Sequence, residues 1–157
     1  MPYDRLLRHR EKELGIAFNV TFCVLNRQPV FVSDAAATIV AAAVRRCDQL
    51  EISRTHAWVV MPDHVHWLLS VEPGISISRA VAGVKANSSR RLGEAGFVAP
   101  WQPGYYEHRV RTDDDLVAQA RYLIANPLRA GLVARLSEYR WWYTRFACSA
   151  NGEDVFW

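Results

Sequence analysis

The sequence predicts an α+β domain, in which an antiparallel sheet carries helices packed on one face. The first observation is the order of its segments, which is strand, helix, two strands, helix, strand. The second is that segments rich in β-branched and aromatic residues alternate with segments of helical periodicity. The third is a tight turn at Pro62-Asp63, which joins two strands directly. Together these observations favour strands and helices that share one core.

The size and charge of the chain limit its class. It has 157 residues, half of them apolar, which suits one domain with a proper core. Its formal charge of +3 is too mild for a protein that coats DNA through charge alone. Of its 19 basic residues, 17 are arginine. Arginine binds phosphate bidentately and stacks on bases, but a GC-rich genome produces the same bias, and the composition leaves both interpretations open.

The three cysteines, Cys23, Cys47 and Cys148, are widely spaced. Their odd number and the lack of a Cys-x-x-Cys pair argue against a disulfide framework or a structural zinc site, and favour a reducing compartment. No apolar run approaches the roughly 20 residues of a membrane span. The N-terminal residues lack the apolar stretch of a signal peptide. We therefore expect a cytoplasmic protein with no membrane partner.

Local patterns place the elements along the chain. After an irregular start over 1–13, they are a strand over 16–25, a helix over 35–50, a hairpin over 54–70, a helix over about 78–93, a strand within 101–111, a helix over 116–125 and a turn or short helix over 128–133. Ser33 and Asp34 form the cap of the first helix, Ser76 or Ser78 caps the second, and Thr112 begins the third.

The second strand of the hairpin carries His64 and His66. Side chains two residues apart on a strand point to the same face, about 6.5–7 Å apart along the strand. Two imidazoles at this spacing can converge on one divalent metal ion. The same pattern fits two polar side chains on the exposed face of an amphipathic strand, and the pair by itself leaves both interpretations open.

Tyr122 and Asn126 form a second candidate pair. They are four residues apart and share one face of the third helix, with their Cβ atoms about 5–6 Å apart. Tyr122 lies off the centre of the apolar stripe, which consists of Leu116, Ala120, Leu123 and Ile124. Periodicity alone fits a tyrosine ring that packs on the sheet, whereas the neighbouring amide favours a polar site.

Longer motifs around both pairs resemble one family. Val-Met-Pro-Asp-His-Val-His, at 60–66, resembles the HUH segment of the single-tyrosine transposases, and especially that of the REP-associated tyrosine transposases, which are of insertion-sequence type. The segment from Arg121 to Val133 is similar to a second signature of that family, and 101–108 resembles a third. The matched segments cover about 16–133, which we interpret as the core of a single domain over 1–157 with an aromatic tail over 134–157.

The resemblance implies a ferredoxin-like fold and a set of site residues. Tyr122 would be the nucleophile, and His64, His66 and Asn126 would hold Mg²⁺ or Mn²⁺. Asparagine departs from the glutamine or carboxylate of other single-tyrosine transposases, which affects the identity of the metal more than the mechanism.

The same resemblance implies contacts with DNA. The candidates on the second helix are Arg79, Lys85, Arg90 and Arg91, although charges on such a helix also fit a solvated face. His108 fits three roles, as a third imidazole near the metal, as a contact to the DNA backbone, or as a residue that holds a loop.

The function that the resemblance implies is metal-dependent cleavage and rejoining of single-stranded, hairpin-forming DNA, such as REP elements, through a 5′-phosphotyrosine. A tyrosine hydroxyl has a pKa near 10 and is a poor nucleophile, so a divalent ion that polarises the phosphate suits this chemistry. Two other classes stay open. One is a catalytically idle single-stranded nucleic-acid-binding protein, and the other is a metal-dependent hydrolase that uses water. Monomer and homodimer both fit.

Overall fold

The computed structural model describes residues 16–98, 101–110 and 113–146, and of 113–115 only the main chain. The predictions for residues 1–13, for the cap at Thr112 and for the end of the aromatic tail lie outside these residues.

The helices and strands confirm the predicted order. They are β1 (Ala17–Cys23), α1 (Asp34–Gln49), β2 (Ser53–Val60), β3 (His64–Val71), α2 (Ile77–Glu94), β4 (Tyr106–Val110), α3 (Asp113–Ile124), α4 (Asn126–Arg129) and β5 (Trp142–Thr144). Ser33 caps α1 by accepting a hydrogen bond from the Ala36 amide. Ser76, rather than Ser78, caps α2 in the same way. Within the part of the chain that the structure describes, no helix is long and apolar enough to cross a membrane.

The strands form one antiparallel sheet in the order β4-β1-β3-β2-β5. The first four strands, with α1 and α2 between them, have the ferredoxin-like arrangement, so the predicted α+β class and antiparallel sheet are confirmed. β5 adds an edge strand beside β2 that the sequence did not predict. Its three residues are too few for an alternating pattern to stand out.

Helices lie on both faces of the sheet, not on one face as predicted. α1 and α2 cover the face that carries Val20, Trp58 and Trp67. α3 covers the opposite face, where it packs on Val59 and Leu68. The physical reason is that β2 and β3 bury apolar side chains on both faces, and each buried face needs a covering layer.

His56 is a buried histidine at an irregularity in the pairing of β2 with β3. Its Nε2 is 2.9 Å from Ser70 Oγ, and Arg145 Nε donates to its Nδ1 at 2.7 Å. Because arginine can only donate, Nδ1 accepts and the proton lies on Nε2. Burial, together with the charges of Arg145 and Arg54, lowers the pKa of His56 to about 4. The imidazole is therefore neutral in the folded protein near neutral pH.

We predict that acid destabilises the fold partly through His56. Its pKa is about 4 when folded and about 6.5 when unfolded, so unfolding takes up a proton between these values and the free energy of unfolding falls as pH falls from 6.5 to 4. The loss is on the order of 2–3 kcal/mol at most. In His56→Gln this part of the slope should disappear, as measured by urea unfolding at several pH values.

The control for this prediction is His108→Gln, which removes an exposed imidazole from β4. It should keep the wild-type slope. An unchanged slope in His56→Gln would assign the acid sensitivity to other groups.

Candidate active site

β3 brings the two imidazoles together. His64 and His66 alternate with the core residues Val65 and Trp67, so they lie on the same sheet face as Leu68, which is the face that α3 covers. Their Nε2 atoms are 3.1 Å apart, and their rings meet edge to face. The predicted convergence of the two rings is therefore present in the fold.

The other ring nitrogens have partners of their own. His64 Nδ1 lies 2.5 Å from a carboxylate oxygen of Asp63, and His66 Nδ1 lies 2.8 Å from Thr21 Oγ1 on β1. When each Nδ1–H donates to its oxygen partner, each Nε2 presents a lone pair to the gap between the rings. Histidines that bind metals are held by second partners of this kind.

Arg27 completes the contacts around Asp63. Its Nε donates to Asp63 Oδ2 at 2.9 Å. Burial opposes ionisation of Asp63, but hydrogen bonds from His64 and Arg27 outweigh it and lower the pKa of the carboxyl group. Asn26 and Arg27 both have left-handed backbone conformations, with φ of 59° and 54°. Such strain in non-glycine residues persists only where the surrounding contacts hold it, and it concentrates at functional sites.

His66 is neutral over a wide pH range. Burial, followed by the charges of His64, Arg129 and Arg27, lowers its pKa to about 4. Neutral imidazole is the form that binds metal ions.

The distance between the two Nε2 atoms suits two ligands of one metal ion. Two nitrogens that are each about 2.05 Å from a divalent ion, at an angle of roughly 100°, lie about 3.1 Å apart. Across residues 16–98, 101–110 and 113–146, no group of three or more His, Cys, Asp or Glu side chains could hold a metal ion. Any further ligand from this part of the chain would therefore be of another type, such as an amide oxygen.

Asn126 supplies such an amide one turn after Tyr122. Its Nδ2 donates to the Leu123 carbonyl at 2.7 Å, so the amide oxygen is the atom suited to a cation. Asn126 opens α4 and is partly buried. Its role as third ligand stays a prediction.

Tyr122 lies on the outer side of α3, with 63% of its surface exposed. It does not belong to either core cluster, whereas Leu123 and Ile124 do. One turn earlier, Gln119 Oε1 accepts a long hydrogen bond of 3.4 Å from Asn19 Nδ2, which ties α3 to β1. The tyrosine is thus presented to solvent from a helix anchored over the same sheet face as the histidines.

Arg129 packs on the ring of Tyr122, and sequence reasoning missed it. Its guanidinium carbon lies 3.7 Å from the centroid of the Tyr122 ring, and Nη1 donates to the Tyr122 carbonyl at 2.7 Å. The charge of Arg129 also contributes, after burial and His64, to the low pKa of His66. Its position within the segment from Arg121 to Val133 was the available signal.

The predicted DNA-contacting residues of α2 lie away from the imidazoles. α2 packs on the opposite face of the sheet, where Arg79, Arg90 and Arg91 are exposed. Arg90 pairs with Glu94 at 3.0 Å. Lys85 donates to the carbonyls of Gln102 and Gly104 at 2.9 and 2.6 Å, so it holds the loop before β4. A role of these four residues in DNA binding stays a prediction.

His108 lies on the imidazole face but one row away. It is exposed on β4 and pairs with Asn19 of β1, whereas Tyr106 pairs with Thr21, which in turn pairs with His66. Tyr106 is thus the β4 residue in the row of His66, His108 lies in the next row, and the role of His108 stays a prediction. A pocket of about 200 Å³ lies at this edge, between Thr21 and the loop 102–106.

Comparison with known proteins identifies the family. The family model described as "Transposase IS200 like" matches residues 14–124 of this chain. The matched range ends two residues before Asn126. The chain belongs to the IS200-like transposase family.

Two relatives of this chain share the REP-associated class. A REP-associated tyrosine transposase of Escherichia coli K12 is 29% identical over 97 residues, which are 61% of this chain and 55% of that protein. The chain thus matches about half the length of that relative. A Haemophilus influenzae protein assigned provisionally to the same class is 24% identical over 159 residues, covering 92% of this chain and 87% of the relative.

A solved structure has the same fold as this chain. It is a REP-associated tyrosine transposase bound to a REP hairpin, with a TM-score of 0.69 and 22% identity, covering 82% of this chain and 76% of that chain. The predicted resemblance to REP-associated tyrosine transposases is confirmed by these matches.

We predict that Asp63→Asn weakens divalent-metal binding about 10- to 100-fold, because the neutral amide holds the His64 ring less firmly than a carboxylate. The measurement is calorimetric titration with Mn²⁺. Asp34→Asn is the matched control, since Asp34 is an exposed carboxylate paired with Arg140 at the start of α1. Equal affinity in wild type and Asp63→Asn would mean that Asp63 serves only to hold the Arg27 loop.

Proposed function

We propose that this transposase cleaves and rejoins single-stranded DNA next to a hairpin, with Tyr122 as nucleophile and a divalent metal ion as cofactor. The observation that carries the proposal is the pair of imidazoles whose Nε2 atoms converge at 3.1 Å while Asp63 and Thr21 occupy the other nitrogens. The hairpin as substrate is taken from the structural relative that is bound to a REP hairpin.

The metal would be held by His64, His66 and the amide oxygen of Asn126. When bound, Mg²⁺ or Mn²⁺ would polarise the scissile phosphate and offset the negative charge that develops in the transition state. The ligand set would leave positions for phosphate oxygen and water.

Tyr122 would form the new covalent bond to the phosphorus of the DNA. Its hydroxyl oxygen attacks the phosphorus, the bond from phosphorus to the 3′ oxygen breaks, and the DNA leaves with a free 3′-hydroxyl. The phenol gives up its proton to solvent, and the departing 3′ oxygen takes one up. The product is a 5′-phosphotyrosine, which a 3′-hydroxyl can attack in reverse, so that DNA is rejoined without another source of energy.

Arg129 would orient the nucleophile. An exposed tyrosine ring is free to rotate unless another group restrains it, and Arg129 covers one face of this ring from 3.7 Å. A planar guanidinium both stacks on a ring and binds phosphate, so the same group suits an approaching phosphate.

The tyrosine would act on the metal site of its own chain. α3 packs on β2 and β3 of the sheet that carries the histidines, and Arg129 contacts the Tyr122 ring. These contacts support a complete site in one subunit, whether the protein is a monomer or a homodimer. We place the protein in the cytoplasm, where its DNA substrate would lie.

The test of the proposed function is the covalent adduct. Wild-type protein with Mn²⁺ and a single-stranded hairpin carrying single-stranded tails should form a phosphotyrosyl adduct, and peptide mapping should find it at Tyr122. Tyr122→Phe removes only the hydroxyl, so the adduct should disappear while binding of DNA and Mn²⁺ persists. His64→Ala combined with His66→Ala should remove cleavage and leave the fold intact.

Three other outcomes would change the assignment. An adduct at Tyr105 or Tyr106 would move the nucleophile and keep the class of enzyme. Cleavage without any adduct would indicate metal-activated water. Tight binding of the hairpin with neither adduct nor product would favour the alternative function, a catalytically idle single-stranded nucleic-acid-binding protein derived from a transposase.

We predict that Arg129→Met slows adduct formation by about 10- to 100-fold at saturating DNA, because a nucleophile that is not held in position loses about this much. Arg129→Lys should fall between, since lysine keeps the charge but lacks the planar group. Single-turnover rates and DNA affinity are measured separately. Arg121→Met, at an exposed arginine in the last turn of α3, is the control. A loss confined to DNA affinity would make Arg129 a phosphate contact only.

A further inference from the structure

A second cavity lies on the face of the sheet opposite the histidines, between α1 and β5. We call it the α1–β5 cleft. Its volume is about 410 Å³, within the roughly 300–1,000 Å³ of sites for small ligands. It is lined by Ala41, Arg45, Asp48, Gln49, Thr55, Trp58, Arg140, Trp141, Trp142 and Tyr143.

Aromatic rings form much of the cleft. Trp58 is buried at its floor, and Tyr143, paired with Trp58 across the strands, is 43% exposed. The two rings are nearly parallel, with an angle of 26° between their planes. Trp141 is half-buried beside them, and the Arg140 guanidinium lies 5.1 Å from the centroid of its ring. Ring surfaces of this kind stack on nucleobases of any sequence.

The charges of the cleft favour an anion. Arg45 and Arg140 line it and are exposed. Arg140 also pairs with Asp34 at 3.4 Å, but both side chains are exposed, and such pairs are weak enough for a phosphate to replace. The carboxylate of Asp48 accepts hydrogen bonds from the Ser53 hydroxyl and from the amide and hydroxyl of Thr55, so its oxygens already have donors and its single negative charge faces the two positive charges of the arginines. Two guanidinium groups disfavour a cationic ligand, which an aromatic cleft could otherwise hold.

The cleft begins at the end of the sheet where the histidines lie. Met61 N donates to the carbonyl of His64, and Val60 N donates to the carbonyl of Trp141. Two strand spacings, or about 10 Å, therefore separate the backbones of His64 and Trp141. A single strand that passes round this end of the sheet can occupy the active site on one face and the cleft on the other within a few nucleotides.

We infer that the α1–β5 cleft binds one unpaired nucleotide of the strand that is cleaved, with its base on Tyr143 and Trp141 and its phosphate on Arg45 and Arg140. The identity of the strand rests on the proposed function. The site gives a role to Trp141 and Tyr143, which the cleavage chemistry does not use, whereas Trp142 packs on the opposite face of the sheet.

The test asks whether the effect of removing one base from the DNA depends on Tyr143. A hairpin with single-stranded tails is bound in EDTA, so that no cleavage occurs, and an abasic site is moved along the tails while affinity is measured by fluorescence anisotropy. In wild type, one tail position should lose about 5- to 150-fold in affinity when its base is removed. In Tyr143→Thr, binding should be weaker by a similar factor, and removal of that same base should cost little more.

A charge variant tests the phosphate contact. Arg45→Gln should weaken binding and reduce the slope of affinity against salt by about one. Arg46→Gln is the matched control, since Arg46 is the next residue on α1, is exposed and does not line the cleft. It should leave the affinity and the salt slope near those of wild type. Thermal midpoints establish that each variant is folded, and if Tyr143→Thr does not fold, the comparison of Arg45→Gln with Arg46→Gln decides.

The cleft and the proposed chemistry can fail separately. An abasic penalty that is the same in wild type and Tyr143→Thr at every tail position would overturn the cleft as a nucleotide site, and so would equal salt slopes for Arg45→Gln and Arg46→Gln. Adduct formation at Tyr122 is measured on the same proteins with Mn²⁺. If the adduct forms but the abasic penalty does not depend on Tyr143, the proposed chemistry stands and the cleft is not a nucleotide site. If the abasic penalty depends on Tyr143 but no adduct forms, the cleft is a nucleotide site and the proposed chemistry is wrong.

Discussion

The register between β1 and β3 is the constraint on which the site depends. It pairs Thr21 with His66, which places a hydroxyl where the second nitrogen of that imidazole needs a partner. The register is itself held by the opposite face, where Trp67 is fully buried and donates from Nε1 to Thr55 Oγ1. A slip of one residue would turn Trp67 toward α3 and both imidazoles into the core under α1 and α2. The same register is therefore required both for packing of the core and for the geometry of the site.

A second layer of contacts makes the imidazoles rigid. Arg27 reaches Asp63 from a backbone in the left-handed region, and Val24 N donates to the Asp63 carbonyl, so the loop after β1 and the turn before β3 hold each other. The strain of that loop is offset by contacts that converge on His64. A histidine pair on an exposed strand without such partners would be free to change rotamers, and its two nitrogens would meet a metal ion only part of the time.

The sequence predicted the elements well, because β1, β2, β3 and the helices α1 to α3 have strong local patterns. The prediction that failed is the one that placed helices on only one face of the sheet. The neighbours Val59 and Val60 on β2, and Leu68 and Leu69 on β3, are all buried, and such pairs of adjacent apolar residues indicate a sheet covered on both faces. That signal was available and conflicts with the prediction of helices on one face. The contacts of Lys85 and Arg129 could not be predicted from the sequence in this way, because the partner of a long side chain depends on which groups the fold brings within its reach.

The strand order explains why the helix that carries Tyr122 lies over the face of the sheet that carries the histidines. β4 lies at one edge of the sheet and β5 at the other, so the chain between them must cross β1, β3 and β2. α1 and α2 occupy one face, and the crossing segment has only the face that carries His64 and His66. α3 is that segment, and its apolar stripe turns Leu123 and Ile124 to the sheet while Tyr122 stays outside. Asn126-Pro127 ends the helix above the sheet, and α4 then turns the chain so that Arg129 returns to the Tyr122 ring. Burial of one stripe and a proline at the end of the helix therefore place α3 over the histidine face, with Tyr122 on the outer side of the helix.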